Sequence, residues 1–372
     1  MNQGKGCMVQ TTNKKIYLLD RSGAETADKC PRAYWWNRLH GGLGISPVDK
    51  PEALQVGGDV HEDLQAIAEL DDISYENIEK ITSGALDEAL DKLEPNDQIG
   101  RELLYRRFGW ATAYALFVEP KIRASWRSIG TERELILDRE PLWVPVTPDR
   151  VLENIANPEI RVYQEYKTTI SASGKWLSSW RKKPQLHLGM KALEEDGTKV
   201  AYARIMGLMK GQVRDGRLAH PYVWGYRHDT SGKWTHDYTQ ARSTGWYQAP
   251  VWEYPGGLVR YVQTLGETVA TAQFPFTEPI FLNEKLLNSW IVRWTAQMEE
   301  WAMAESIVAD DEEALDTFFP QHTDNCEPPF GDPCSYRWAC WNAGVNQDPI
   351  GSGYYTKRIP HHDVELILGG RR

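Results

Sequence analysis

"TPDRVLENIANPEIRVYQEYKTT", residues 147–169, is the stretch on which the reading of this chain turns. Two β-prone segments flank the turn-rich "NIANPE", which predicts a hairpin. Asp149 is expected to end one strand, and Glu165 and Lys167 lie two apart on the returning strand, where they share a face. The hairpin then sets Asp149 beside them. Two carboxylates near one point suit a hard divalent cation such as Mg²⁺ or Mn²⁺. Such an ion acidifies a bound water and neutralises charge building on a phosphate, while a nearby lysine orients the nucleophile or stabilises the transition state. This is the chemistry of phosphodiester hydrolysis. A bare Glu-x-Lys says little, because surface strands often carry such pairs. The weight comes from Pro148-Asp149 a hairpin's length upstream and from the apolar residues between.

Working outward, "ERELIL", "LWVPVTPDRVLEN" and "IRVYQEYKTT" predict a meander of three strands from Thr131 to Thr169. "PQLHLGMKALEE" follows as a helix opened by Pro184, with Gln185 at its start and an apolar stripe of Leu186, Met190 and Leu193. Residues 52–125 read as mostly helical and include His61. Residues 200–260 read as further strands, with "DTSGK" as a hairpin turn. "LNEKLLNSWIVRWTAQMEEWAMAE" predicts a long helix burying Leu287, Trp290, Ile291, Trp294, Met298 and Trp301. Residues 1–15 read as a loose polar arm and 346–372 as an appended tail. With no internal repeat and no long linker, the pattern points to one elaborated α/β domain.

The chain has 372 residues, enough for a substantial core without disulfide stapling. No secretory-type start and no apolar run long enough to span a bilayer is seen, so a soluble, cytoplasmic protein without membrane contact is expected. Five cysteines at irregular spacing, Cys7, Cys30, Cys326, Cys334 and Cys340, argue for metal binding over disulfides. Three of them crowd into "CEPPFGDPCSYRWACW", residues 326–341. The net charge of −10 argues against coating nucleic acid by bulk attraction, yet a local basic groove can coexist with it. Candidates are Arg101, Arg106, Arg107, Lys121, Arg123 and Arg127, and again Lys175, Arg181, Lys182 and Lys183; ordinary solvated helix faces explain each cluster as well. Most of the 16 tryptophans are expected in the core, with a few free to stack on unpaired bases.

The order Cys30, His61, Pro148-Asp149, Glu165-Tyr166-Lys167, Gln185, Cys326, Cys334, Cys340 resembles the PD-(D/E)XK nuclease superfamily. More narrowly it resembles the RecB-like branch, which includes CRISPR-associated and AddB-type nucleases with an iron-sulfur cluster. The resemblance implies a restriction-endonuclease-like α/β core, a mixed central sheet flanked by helices, over residues 16–345. Within it fall a helical insertion at 52–125, a catalytic core at 128–200 and the cysteine segment at 326–340. Asp149 and Glu165 would be metal ligands, His61 would complete the metal site, Lys167 would be the catalytic lysine, and Gln185 would face the catalytic centre. Cys30, Cys326, Cys334 and Cys340 would hold a structural [4Fe-4S] cluster closing the domain, with Cys7 a bystander. The implied activity is Mg²⁺- or Mn²⁺-dependent DNA cleavage, expected to be exonucleolytic on single-stranded or end-containing DNA. Its setting would be repair, recombination, or viral or CRISPR DNA processing, with recombination or replication proteins as possible partners.

The chain departs from the branch at three places. Val146 stands where a glycine is usual, three residues before Asp149. Gly189 stands four residues after Gln185, where an aromatic is common. Seven residues separate Cys326 from Cys334, a longer gap than the branch's usual one. Four thiolates suit zinc as well as an iron-sulfur cluster, although the absence of C-x-x-C knuckles and the split of one ligand upstream and three downstream favour the cluster. A catalytically silent nucleic-acid-binding partner that keeps the cluster is the rival reading, and a structural zinc protein the next. Glu132 and Glu134 could also approach the ion, or could simply form ion pairs on an edge strand.

Overall fold

The computed structural model describes residues 16–49, 52–169, 172–210, 221–310, 314–328 and 333–365. The expected N-terminal arm with Cys7, and the end of the expected tail, lie outside these residues. In chain order the strands are β1 (Tyr17–Leu18), β2 (Ile45–Pro47), β3 (Trp126–Thr131), β4 (Leu135–Arg139), β5 (Leu142–Val146), β6 (Arg150–Asn154), β7 (Arg161–Thr169), β8 (Tyr202–Met209), β9 (Trp224–His228), β10 (Trp234–Thr235), β11 (Trp246–Pro250) and β12 (Tyr355–Lys357). The chain divides into two compact units, each assembled from separated stretches. One comprises residues through Asp49, Glu134–Val146 and Asn283 onward, and the other Lys50–Arg133 and Thr147–Leu282.

The second unit carries a mixed sheet in the order β3-β6-β7-β8, with β3, β6 and β7 antiparallel and β7 and β8 parallel. A parallel pair needs a crossover, and here the helices Gly174–Ser179 and Pro184–Glu195 supply it. The Pro184–Glu195 helix begins where the sequence predicts, because proline at the first turn has its φ set and no N–H to leave unpaired. Leu152, Val162, Tyr166, Met206 and Leu208 of the sheet pack with Val60, Leu64, Ile67, Phe108, Trp110 and Tyr114 of the helical stretch into one core. The "DTSGK" turn joins β9 to β10 in a smaller sheet ordered β10-β9-β11.

The expected three-strand meander is corrected. The stretch from Thr131 to Thr169 holds four main strands in two different sheets: β4 and β5 pair with each other, and β6 pairs with β7. "LWVPVTPDRVLEN" is broken at Thr147–Asp149, where Pro148 has no N–H to give a ladder and restricts the residue before it. Asp149 therefore stands immediately before β6 and does not end a strand.

The first unit contains the sheet β1-β5-β4, the pair β12-β2 and the long Glu284–Asp310 helix, which buries Leu287, Ile291, Trp294, Met298 and Trp301. Trp290 on that helix is only half-buried. Residues 346–365 include β12 and the buried Arg358, Val364 and Glu365. Among the described residues no helix is long and apolar enough to cross a membrane.

Candidate active site

The register of β6 on β7 sets the acids side by side. Arg150 pairs with Gln164, so the next step brings position 149 opposite 165. Asp149 Oδ2 accepts the Tyr166 backbone N–H at 2.6 Å, which fixes the carboxylate against β7. Glu165 and Lys167 share a face of that strand, and Lys167 Nζ donates to Glu165 Oε1 at 2.6 Å. The amide Nε2 of Gln185 donates to the same oxygen, and the Tyr163 hydroxyl donates to Oε2. Glu165 is 1% exposed and has donors on both oxygens. Gln185 Oε1, beside it, is buried without a partner.

His61 projects from the Glu52–Glu69 helix, with Nε2 at 3.8 Å from Asp149 Oδ2 and 2.8 Å from the Tyr166 carbonyl oxygen. Glu132 joins from just past β3. Its backbone lies in the left-handed region at φ +43°, and its N–H donates to the Pro148 carbonyl at 3.1 Å. One ligand atom each from His61, Glu132 and Asp149 lie within 4.8 Å of one another, the only such trio of His, Cys, Asp or Glu among the described residues. Glu134, the other acid weighed from sequence, instead meets His362 in the first unit, 2.8 Å from its Nδ1.

The electrostatics of this group fit a cation. Burial, then the nearby Glu165 charge, pushes the Asp149 carboxyl well above the usual carboxylate range. Burial and the charges of Glu165, Glu69 and Glu62 push Glu132 upward as well. Burial and the Lys167 ammonium lower His61, keeping its imidazole neutral and able to act as a ligand. Crowded carboxylates that resist ionising together, a neutral histidine and a backbone carbonyl form a donor set suited to a hard divalent ion.

Beneath the site lies a support that the sequence did not reveal. Arg150, 1% exposed, is gripped by fully buried Glu119 through two bonds, at 2.7 and 2.8 Å. Tyr114 donates to Glu119 at 2.7 Å, and its hydroxyl lies 3.3 Å from that of Tyr166. Arg123 closes the other side of Glu119 at 2.8 Å. Much of the first basic cluster is used in this way. Arg107 binds Asp63 at 2.7 Å, and Lys121 and Arg127 bind Glu267 and Glu153. By contrast, Lys175, Arg181 and Lys182 lie exposed on the crossover between Lys167 and Gln185.

In the first unit, Cys30 joins two helices, capping the C-terminus of Arg21–Lys29 and preceding Pro31–Tyr34. His322 and Asn325 both bond the Lys29 carbonyl, at 2.8 and 2.7 Å, which holds the segment leading to Cys326 against that junction. The Cys334 N–H donates to the Cys326 carbonyl at 2.8 Å, and Cys340 sits in the short Arg337–Trp341 helix. All four are free thiols. Burial raises Cys326, Cys334 and Cys340, the last to about 11, and the Cys30 sulfur adds to the shift of each. Cys30, Cys334 and Cys340 thus share one neighbourhood packed by Ala33, Trp36, Tyr336 and Ala339, and the charges of Cys30 and Cys334 reach Cys326.

No curated protein matches this chain. The family model of the PD-(D/E)XK nuclease superfamily, however, matches residues 21–341, a span that takes in every residue of the carboxylate site and all four of these cysteines. On that match, over most of its length, the chain belongs to the PD-(D/E)XK nuclease superfamily.

Proposed function

We propose that the protein is a divalent-metal-dependent deoxyribonuclease of the RecB-like branch, acting as an exonuclease on single-stranded or end-containing DNA. Members of the superfamily are generally nucleases that use divalent metals. The observation that carries the reading is the convergence of His61, Glu132 and Asp149 within 4.8 Å, beside the Glu165–Lys167–Gln185 group. His61, Asp149 and Glu165 would hold Mg²⁺ or Mn²⁺, with Glu132 alongside. Such an ion supplies Lewis-acid polarisation of a phosphate oxygen and a more acidic water.

The chain's own residues do the rest. Lys167, already 2.6 Å from Glu165, presents a positive charge to the phosphate. Gln185 uses its amide N–H to hold Glu165 and leaves a buried oxygen ready to accept a hydrogen from the attacking water. Lys175, Arg181 and Lys182 offer exposed cations to the flanking backbone of the substrate. Digestion of end-labelled single- and double-stranded DNA with Mn²⁺ or Mg²⁺, blocked ends against free ends, tests this. Loss of cleavage on blocked ends supports the exonuclease. Equal cleavage by wild type and Lys167→Ala rejects the catalytic assignment, and DNA binding without cleavage by the wild type favours a silent DNA-binding partner.

For the cysteines we propose a structural [4Fe-4S] cluster held by Cys30, Cys326, Cys334 and Cys340. Four free thiols gathered from distant parts of the chain support a thiolate-binding group at that place. Iron performs no hydrolysis here; the group would tie the Cys30 junction to the cysteine segment. Anaerobic purification tests it: brown protein with broad absorption near ~400 nm indicates the cluster, and colourless protein containing zinc rejects it.

A further inference from the structure

Gly189 stands among the buried Leu186, Leu188, Met190 and Leu193 of its helix, where glycine costs roughly 1 kcal/mol against alanine. A buried glycine inside a helix calls for a packing reason. The reason lies on β7: a methyl group built on Gly189 would collide with the ring of Tyr163. Positions 185 and 189 are one turn apart on the same helix face, and positions 165 and 163 are two apart on the same strand face. The helix therefore meets the strand in two matched steps. Gln185 meets Glu165, and the gap at Gly189 receives the Tyr163 ring. Opposite Tyr163 on β8 stands the small Ala203. The ring is 2% exposed, and its hydroxyl donates to Glu165 Oε2, the oxygen that Lys167 and Gln185 leave to it.

We propose that Tyr163 is a positioning residue of the nuclease centre, clamping the Glu165 carboxylate from the strand side, and that Gly189 is the vacancy this clamp requires. The proposal rests on the nuclease reading above. Without the tyrosine, Glu165 keeps its donors on one oxygen only and is free to rotate about its last torsion. Held from both sides, it presents one fixed orientation, and little of its freedom is lost when a cation and substrate arrive.

The test uses the full chain with Mn²⁺ and single-stranded DNA, comparing wild type, Tyr163→Phe, Gly189→Ala, Tyr163→Val and the double variant Tyr163→Val/Gly189→Ala. Tyr163→Phe keeps the packing and removes one donor. The expected result is a kcat lowered roughly 10- to 100-fold, the range for a hydrogen bond to a charged group, with KM for DNA unchanged. Calorimetric Mn²⁺ binding without DNA should weaken in the same variant while its melting temperature holds. Gly189→Ala should reproduce the kcat loss when Tyr163 is present and add none in the Tyr163→Val background. Wild-type kcat and Mn²⁺ affinity in Tyr163→Phe overturn the proposal, as does an equal effect of Gly189→Ala in both backgrounds. Asp149→Asn separates the two readings: retained cleavage there overturns the nuclease centre and this proposal with it. Inactive Asp149→Asn beside fully active Tyr163→Phe overturns the tyrosine alone.

Discussion

The carboxylate site and the cysteine group are built in opposite ways. The first hangs on regular elements: β6, β7 and two helices fix Asp149, Glu165, His61 and Gln185, and each of these side chains has a hydrogen-bond or ion-pair partner in the protein. The second is drawn from a helix junction, a 3₁₀ turn, a loop and a five-residue helix, and its sulfurs have few polar partners. Polar groups that satisfy one another hold their geometry unaided, whereas buried thiols at the ends of short elements depend on what they bind. The carboxylate site is therefore expected to keep its shape in chelator, and the cysteine group to lose its shape when the proposed cluster is removed.

Four substitutions break or sharpen this contrast. Asp149→Asn has the largest expected effect: cleavage falls about 10³-fold or more, as when a group acting directly on the reacting charge is lost. In chelator the same change should leave melting undiminished. The folded protein holds the Asp149 proton to higher pH than the unfolded chain does, so its stability falls as pH rises from the ordinary carboxylate range through the raised value. Melting curves in EDTA across that window should show the slope in wild type and a flatter one in the asparagine variant.

Glu119→Ala follows, at about 3–5 kcal/mol of stability, because it strands Arg150 as a buried, unpaired charge. Urea denaturation measures it, and a loss under 1 kcal/mol would show that the site does not rest on this pair. Cys326→Ser should come next, with a smaller loss, since a serine oxygen can take the fourth place. Iron per chain and the ~400 nm absorption should fall, with proteolysis appearing first near residues 314–328. Unchanged iron and absorption would remove Cys326 from the ligand set, where its long spacing already sets it apart from the branch. The smallest effect belongs to Glu132, whose carboxylate is the most exposed of the His61–Glu132–Asp149 trio. Glu132→Ala should raise the Mn²⁺ concentration for half-maximal cleavage by severalfold and leave kcat at saturating Mn²⁺ close to wild type.

Much of the carboxylate site was legible because period and spacing carry it. A strand alternates at two residues, so Glu165 and Lys167 had to share a face, and Pro184 had to begin a helix that carries Gln185. Strand partnership was not legible. "LWVPV" and "RVLEN" are equally β-prone, yet the first pairs with Tyr17–Leu18 and β4 and the second with β3 and β7, a choice made by distant chain. Nor could sequence show that Arg107 meets Asp63, which takes it out of the expected basic groove. Glu132 was one of two acids named from the sequence, which could not tell it from Glu134, because what brings it near Asp149 is a backbone bond to the Pro148 carbonyl. Tyr163 did have a signal, two residues before Glu165 on the same face, but an aromatic in a central strand reads first as core.

The left-handed backbone at Glu132 has one more consequence. Alanine there keeps the unfavourable dihedral and glycine relieves it, so Glu132→Gly should melt higher than Glu132→Ala by the equivalent of about 1 kcal/mol, with both equally short of the acid. At this one position, selection for a sturdier fold and selection for a tighter grip on the ion would favour different amino acids.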